Sequence, residues 1–421
     1  MWFNLKLTGP EGPVPGLRYN SHTSELQGMD FQNLPEAPNW SEAPRVSPAT
    51  PVGKSPAPRV LKIQMGLACN YSCSYCLQAL EVVNDDVSLL EDARQFIAQI
   101  DSWLEGTPEE IQFWGGEPFV YWAKLKALVP QLKERFPAAS VVIITNGSVL
   151  DREKITFIDQ FDISIGISHD GPGHKRVRGP DPFEDPDKLH WIQELVRRRP
   201  GQVSFNAVLT KGNTDFRAIE SHIQGYFDEP VVVGLEGVVN TYDAATLLGS
   251  GSLQQDDLSE MSNGLFDYLL TEDNPGLEDM VERFMKTILE RRPLSAVGQK
   301  CGMDRPDMLA VDLKGNVQTC QNTGSKGKHK IGHVSNFDEI ALDTSTHFSH
   351  RENCLECPLV QLCRGSCMYL EGDFFNQSCR NEFAFNMAFF RAAIFRFTGM
   401  VLTEIEGPFP EVEVDAPLGF D

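Results

Sequence analysis

Cys69, Cys73 and Cys76, in the segment GLACNYSCSYCLQ, stand in C-x3-C-x2-C spacing directly after a short apolar run, RVLKIQMGL. All three fall on one tight loop. Three thiolates can hold three irons of a [4Fe–4S] cube and leave the fourth iron open, whereas a structural zinc site takes four ligands and is closed. The missing fourth ligand points to a reactive cofactor, against the plainer readings of a zinc loop or incidental buried cysteines. Seven further cysteines follow: Cys301, Cys320, Cys354, Cys357, Cys363, Cys367 and Cys379, with C-x2-C-x5-C-x3-C at their centre. Metal ligation is expected there too, with a zinc-stabilised appendage as the alternative, since zinc ribbons use C-x2-C pairs. The opening MWFNLKLTGPEGP lacks a basic segment followed by an apolar run, and no stretch approaches the roughly 18 apolar residues of a membrane span. A cytoplasmic chain is expected, where thiols stay reduced and serve as ligands or catalytic groups rather than disulfides.

The elements that must position these thiols read as α/β. Between Arg59 and about Asn240 short apolar runs alternate with helix-period segments, the pattern of successive βα units. The strands are RVLKIQMGL, EIQFWGG, SVVIITNG, DISIGIS, QVSFNAVLT and VVVGLEGVV. Ser88 and Glu91 have capping-box spacing, with Leu89, Leu90, Ala93, Phe96, Ile97, Ile100 and Leu104 on one helical face. Six such units are too short for an eight-unit barrel of roughly 250 residues and fit a partial (β/α)6, TIM-like barrel over 59–250 whose open side needs a cover. Loops after the strands would form its active face. Residues 1–58, with ten prolines, read as an extended arm in which WFNLKL offers one strand, or as a floppy leader. Residues 251–300 read as a helical connector. In 301–381 periodicity is weak, so metal sites rather than a large core are expected to hold the segment. Residues 382–421 read as a dense apolar helix, Phe383 to Phe397, and an acidic tail that is either a strap or a disordered end.

The chain has 421 residues, is 41% hydrophobic and carries a formal charge of -22. That much apolar material supports a globular core, and so acidic a surface repels phosphate backbones. Nucleic acid is excluded as a partner; a basic or neutral peptide fits better.

With Tyr75 before its third cysteine, the first cluster resembles the signature of the radical S-adenosylmethionine (radical SAM) superfamily. In that family the open iron chelates the amino and carboxylate groups of SAM, and an added electron splits the sulfonium to give a 5′-deoxyadenosyl radical. Gly115-Gly116-Glu117-Pro118 matches the family's GGEP element, whose carboxylate and carbonyl acceptors suit the SAM ammonium. Thr145-Asn146-Gly147 resembles its TNG element. Ser168-His169-Asp170-Gly171-Pro172, followed by His174 and Arg178, resembles the S-x-D-G-P…H-x3-R stretch of peptide- and protein-modifying members. The resemblance implies SAM contacts from Asn146, Asp170 and the GGEP residues, with Ser168 and Arg178 on the carboxylate. The interval before His174 is shorter than the family pattern, so Arg176 competes with Arg178. His169 and His174 are expected to be structural.

The later array resembles the SPASM extension of peptide and sulfatase maturases. That resemblance implies two auxiliary iron–sulfur clusters, a distal one on Cys354, Cys357, Cys363 and Cys379 and a proximal one on Cys301, Cys320 and Cys367. Two closed cubes need eight ligands and seven thiols are present. Asp307 stands where some members carry another cysteine, so the proximal site is Asp307-ligated, open to substrate, or smaller than a cube.

Such an array implies oxidation: a substrate radical that forms a new bond must lose an electron to a nearby acceptor and a proton to a base, for which Asp304, Asp307 and Glu236 are candidates. The expected function is oxidative modification of a ribosomally made precursor peptide by an intrachain C–C (cyclophane-type) or thioether cross-link, with an external one-electron reductant of flavodoxin or ferredoxin type and no membrane. Formylglycine formation in a sulfatase and quinone-cofactor maturation are the alternatives within the family. A non-catalytic metal-bound carrier or interaction protein is the alternative outside it.

Overall fold

The computed structural model describes residues 1–29, 36–80 and 89–408. The chain opens with β1 (Trp2–Gly9), β2 (Gly12–Asn20) and β3 (Leu26–Gln27). Next come β4 (Val60–Gln64), α1 (Leu90–Gln99), β5 (Glu110–Trp114), α2 (Trp122–Arg135), β6 (Ser140–Thr145), α3 (Arg152–Gln160) and β7 (Ile163–Ser168). They are followed by α4 (His174–Val177), α5 (Pro186–Arg198), β8 (Val203–Leu209), α6 (Phe216–Gln224) and β9 (Val232–Val238). Then come α7 (Ala244–Leu248), α8 (Gln255–Thr271), α9 (Pro275–Leu289), β10 (Met308–Asp312), β11 (Asn316–Gln318) and β12 (Lys330–His333). The chain continues through α10 (Glu352–Leu355), α11 (Val360–Cys363), α12 (Gly372–Thr398) and β13 (Val401–Glu406).

All six expected strands form, as β4 to β9, and pair in parallel in chain order. Along them Ile111, Phe113, Val141, Ile143, Ile165, Ile167, Phe205 and Ala207 are buried in one core with Phe96, Leu128, Ile155, Ile192 and Ile219 of the helices. The alternate positions, Gln112, Ser164, Ser204 and Asn206, are half-buried and polar. A strand pleat separates these two sets, so these polar positions lie on the face away from the helices. Side-chain caps start the crossover helices: Asp151 accepts the Lys154 N–H at 2.9 Å, and Asp215 the Ala218 N–H at 3.1 Å. Asp185 and Asn274 cap α5 and α9, each with proline as the first helical residue. At α1, Ser88 lies outside the described residues, and Asp92 rather than Glu91 reaches back, accepting the Leu89 N–H at 2.6 Å.

Three regions differ from expectation. Residues 1–29 are not an extended arm: β1, β2 and β3 form an antiparallel sheet with β13 in the order β13-β1-β2-β3. Pro15 is tolerated because it falls where the β1–β2 register shifts, at a bulge that needs no ladder hydrogen bond. Phe3, Leu5, Leu17 and Tyr19 turn inward, and the Tyr19 ring sits 5.2 Å from that of Phe390 in α12. The acidic tail thus begins as a strand, β13; residues 409–421 lie outside the described residues.

The cysteine-rich segment is also not held by its thiols alone. Its run MLAVD is β10, which adds to β4 in parallel with Met308 opposite Val60, and Leu309, Ala310 and Val311 are fully buried. With β11 and β12 it extends the sheet to nine strands, β12-β11-β10-β4 to β9, and covers one edge. Finally, α12 starts at Gly372 rather than near Phe383; its first half is polar because it passes the cysteines before entering the core. Among the described residues no helix is long and apolar enough to cross a membrane.

Candidate functional site

The loop after β4 carries Cys69, Cys73 and Cys76 and is braced by three neighbouring loops at the same end of the sheet. The Tyr121 hydroxyl accepts the Ala68 N–H at 2.7 Å, and Asn70 donates to Ser148 at 2.8 Å while accepting from Asn146 at 2.9 Å. On the other side Tyr71 donates its hydroxyl to the Pro180 carbonyl at 2.6 Å, Ser74 its N–H to the Val177 carbonyl at 2.7 Å, and Tyr75 its hydroxyl to Asp170 at 2.6 Å. Cys69 is exposed and the other two half-buried. Burial pushes the Cys73 thiol up to about 12, with Arg178 pulling it down, and also raises Cys69. Metal ligation must supply the drive to deprotonate both.

The side chains of the GGEP and TNG elements tie loops together. Glu117 is buried at 1% exposure. Its carboxylate accepts from Phe119 N–H at 3.0 Å, the Thr145 hydroxyl at 2.7 Å and Asn146 N–H at 2.7 Å. Those bonds occupy both oxygens, so Glu117 ties two loops together and is not presented to an ammonium group. Pro118 is buried beside it. Asn146 is likewise spent, on Asn70 and on Ser148, whose N–H it accepts at 2.9 Å. Gly115 and Gly116 serve close backbone packing: a Cβ on Gly116 would overlap the Leu67 and Ala68 carbonyls, and one on Gly115 would lie 2.9 Å from the Gly66 carbonyl oxygen. Gly116→Ala is therefore expected to push the cysteine loop out of place at a cost of about 1–3 kcal/mol, read as a lowered melting temperature together with lost iron from that loop.

Ser168 ends β7, half-buried, and beside it the fully buried Asp170 organises an arginine. Its Oδ2 accepts from Arg178 Nε at 2.9 Å and from Tyr75, and its Oδ1 from the Val208 N–H at 2.9 Å. Asp170 is thus an anchor rather than a ligand contact. Burial opposes the Arg178 charge, but Tyr75, Asp170 and Cys73 more than offset it. Arg176, the competing clamp, is exposed and donates to the Lys211 carbonyl at 2.8 Å. His169 accepts the Gly171 N–H at 3.0 Å, faces Asp181 at 3.0 Å, and stacks on Phe183 and His174. Burial, then His169 and Arg178, push His174 down to about 3, so it stays neutral as packing.

The three base candidates separate by position. Asp307 lies at the start of β10, the end of the sheet opposite the cysteine loop, and is paired with Arg305 and, at 3.5 Å, with Arg59. Asp304 is fully buried, accepting the Gln299 N–H at 2.7 Å and facing His347 at 3.3 Å. Glu236 stands apart from both: the β8–β9 register skips it, pairing Ala207 with Leu235 and Val208 with Gly237. A bulge re-aims one side chain and releases one ladder group; here Glu236 turns out of the ladder, and the Val208 N–H goes to Asp170. Glu236 is reached by solvent yet flanked by protein, and the desolvation this brings raises its carboxyl pKa; Arg178 and Lys300 pull it back down and Asp170 adds to it.

The remaining seven thiols, none in a disulfide, gather into two groups. Cys301, Cys320 and Cys367 feel one another's charge, as do Cys354, Cys357, Cys363 and Cys379. Burial pushes Cys301 up to about 12 and Cys320 up to about 11. Between Cys363 and Cys367 the backbone is left-handed at Arg364, Gly365 and Ser366 (φ 52°, 70° and 53°), a strained turn that sends the two sulfurs to different groups. Among the described residues no three His, Cys, Asp or Glu side chains are close enough to share one metal ion. A polynuclear cluster, in which each thiolate takes a different iron, makes no such demand, and soft thiols grouped three, three and four suit iron–sulfur ligation. Gln78, just past the first loop, donates to Asn322, just past Cys320, at 2.8 Å. Lys62 donates to Gln321 at 3.2 Å, and Lys54 holds the Met303 and Arg305 carbonyls at 2.6 and 2.9 Å. Lys300 pairs with the buried Glu382 at 3.1 Å behind Glu236. None of these partners carries a spacing signal, and only the fold brings them together.

Residues 63–222 match the model of the radical SAM superfamily. The chain is 21% identical over 343 residues to the radical SAM cyclopropyl synthase TigE of Paramaledivibacter caminithermalis, covering 74% of this chain and 68% of that one. It is 24% identical over 328 residues to the cysteine-type anaerobic sulfatase-maturating enzyme of Clostridium perfringens, covering 71% and 85%. The fold is similar, with TM-score 0.58 and 19% identity over 81% of this chain and 98% of the other, to the solved structure of native anSMEcpe with bound AdoMet and Cp18Cys peptide. The braced three-thiol loop, at the carboxyl ends of a parallel sheet, lies inside the matched segment, so the chain carries a radical SAM domain over residues 63–222.

Proposed function

We propose that the chain oxidatively modifies a ribosomally made precursor peptide, forming an intrachain C–C or thioether cross-link. When bound at Cys69, Cys73 and Cys76, a [4Fe–4S] cluster with SAM supplies a 5′-deoxyadenosyl radical. Ser168 and Arg178 bind the SAM carboxylate, Arg178 being held in register by Asp170 and Tyr75. Glu236 takes the second proton from the substrate, and the electron leaves toward the group on Cys301, Cys320 and Cys367. The observation that supports an oxidative reading is the Gln78–Asn322 hydrogen bond, which fastens the loop of Cys320 to the segment just after the first cysteine loop. An acidic chain of formal charge -22 favours a basic or neutral peptide. Of the expected alternatives, formylglycine formation is kept because the similarity to a sulfatase-maturating enzyme spans 85% of that relative.

The test is anaerobic preparation of the whole chain with its peptide. Iron and acid-labile sulfide near about 12 each are expected for three cubes, with SAM-dependent loss of two hydrogen atoms from the peptide by mass spectrometry. Zinc without sulfide overturns the enzyme reading. A Cys or Ser converted to an aldehyde in place of a cross-link selects the sulfatase-type reaction.

A further inference from the structure

Glu382 lies on α12 one turn after Cys379, a spacing that puts the two side chains on one helix face. It is buried at 2% exposure, where a lone carboxylate is costly, and its oxygens are met from three places. Asn386, a turn further along α12, donates its amide at 2.8 Å. The Ser366 hydroxyl stands 3.3 Å away, on the left-handed turn between Cys363 and Cys367, and the Ser366 N–H donates to the Cys363 carbonyl at 3.2 Å. The Lys300 ammonium reaches both carboxylate oxygens, at 3.1 and 3.3 Å, from the residue just before Cys301. It rests 5.5 Å from the centre of the Phe385 ring, and a Cβ on Gly237, beside the β9 bulge, would lie 4.0 Å from it. One carboxylate therefore fastens the loop of Cys301, the turn that joins Cys363 to Cys367 and the helix that carries Cys379. The exposed ion pairs of this chain are screened by water; here a full positive and a full negative charge are held together inside the cysteine region.

We propose that the Lys300–Glu382 pair sets the reduction potential of the distal cluster, the Lys300 ammonium offsetting the downward pull of the Glu382 carboxylate. The proposal rests on the reading that Cys354, Cys357, Cys363 and Cys379 hold such a cluster. A fixed negative charge beside a cluster opposes the added electron and lowers its potential, whereas a positive charge stabilises the reduced form and raises it. The ammonium is delivered by the loop of Cys301, so seating that loop is what keeps the distal cluster a competent electron acceptor.

The experiment is a redox titration of the full chain, anaerobically reconstituted, with iron and sulfide counted and the auxiliary signals followed by electron paramagnetic resonance. The distal signal is the one that Cys357→Ala removes. Lys300→Met is expected to keep the native iron count and leave the distal cluster about tenfold more oxidised at fixed poise, equivalent to about 59 mV downward for one electron. Glu382→Gln is expected to move the same signal upward by a similar factor, and Lys300→Arg, which keeps the charge, to superimpose on the native titration. A merely structural pair gives no such opposition of sign, so shifts in one direction for both variants, or in neither, overturn the proposal. Should Lys300→Met fail to fold, Glu382→Gln decides by itself: an unmoved or lowered titration overturns the proposal. Failure of the underlying reading looks different: Cys357→Ala then leaves iron, sulfide and every signal of the native chain unchanged, and the proposal falls with it.

Discussion

Cys69→Ala is expected to reduce dithionite-driven formation of 5′-deoxyadenosine to background and to remove about four irons per chain, the content of one cube. Cys69 is the cleanest position for this test because its side chain is exposed and makes no core contact. The surrounding loop is held mainly by Asn70, Tyr71, Ser74 and Tyr75, the thiol adding one long bond from the Tyr71 N–H at 3.4 Å. Loss of activity in a variant that still melts like the native chain thus reports on the metal, not on folding. The contrasting substitution, Cys357→Ala, removes a buried thiol from the other group and is expected to impair folding or cross-linking more than cleavage of SAM. If the Cys69→Ala protein cleaves SAM at the native rate, the loop is not the radical centre.

Glu236→Gln is expected to lower cross-linked product per 5′-deoxyadenosine by about 10²-fold, the usual contribution of a positioned general base. The amide keeps the size and the bulge but cannot take a proton. A pH profile separates this from a merely structural role. Burial raises the Glu236 carboxyl pKa, so in the native enzyme the charged, basic form is lost as pH falls through a value above the ordinary carboxylate range. The native product ratio therefore drops on that acid limb, and the Gln variant shows no such limb. Equal ratios in the two proteins across pH would return the base to another group; Asp304 and Asp307 are poor substitutes, one sealed under Gln299 and His347, the other paired with arginines at the far end of the strands.

Much of the site was legible because its chemistry is local in sequence. Spacing alone groups Cys69, Cys73 and Cys76 on one loop, and the six apolar runs from Val60 to Val238 became strands because parallel strands are buried by their neighbours whatever lies outside them. The errors came where a short segment takes its identity from a distant partner. MLAVD has no following helix and five residues of ambiguous period, yet it is a strand because the free edge of β4 accepts it. Proline density made residues 1–29 look extended; the edge and bulge positions that tolerate proline exist only once β13, roughly 400 residues later, pairs with β1.

The amino-acid sequence by itself determined which thiols exist, how they divide into a loop of three and a later array of seven, and that an α/β sheet stands behind the first set. The tertiary structure decided what each polar residue near them does. Glu117 and Asp170 sit in motif positions that suggest ligand contact, but folding engages their carboxylates with neighbouring loops, while Asn146 donates to Asn70 and accepts from Ser148, because an unpaired buried carboxylate or amide is costly. Glu236 has no motif at all. It acquires its place near Arg178 from a one-residue bulge, and such long-range geometry is not written in spacing.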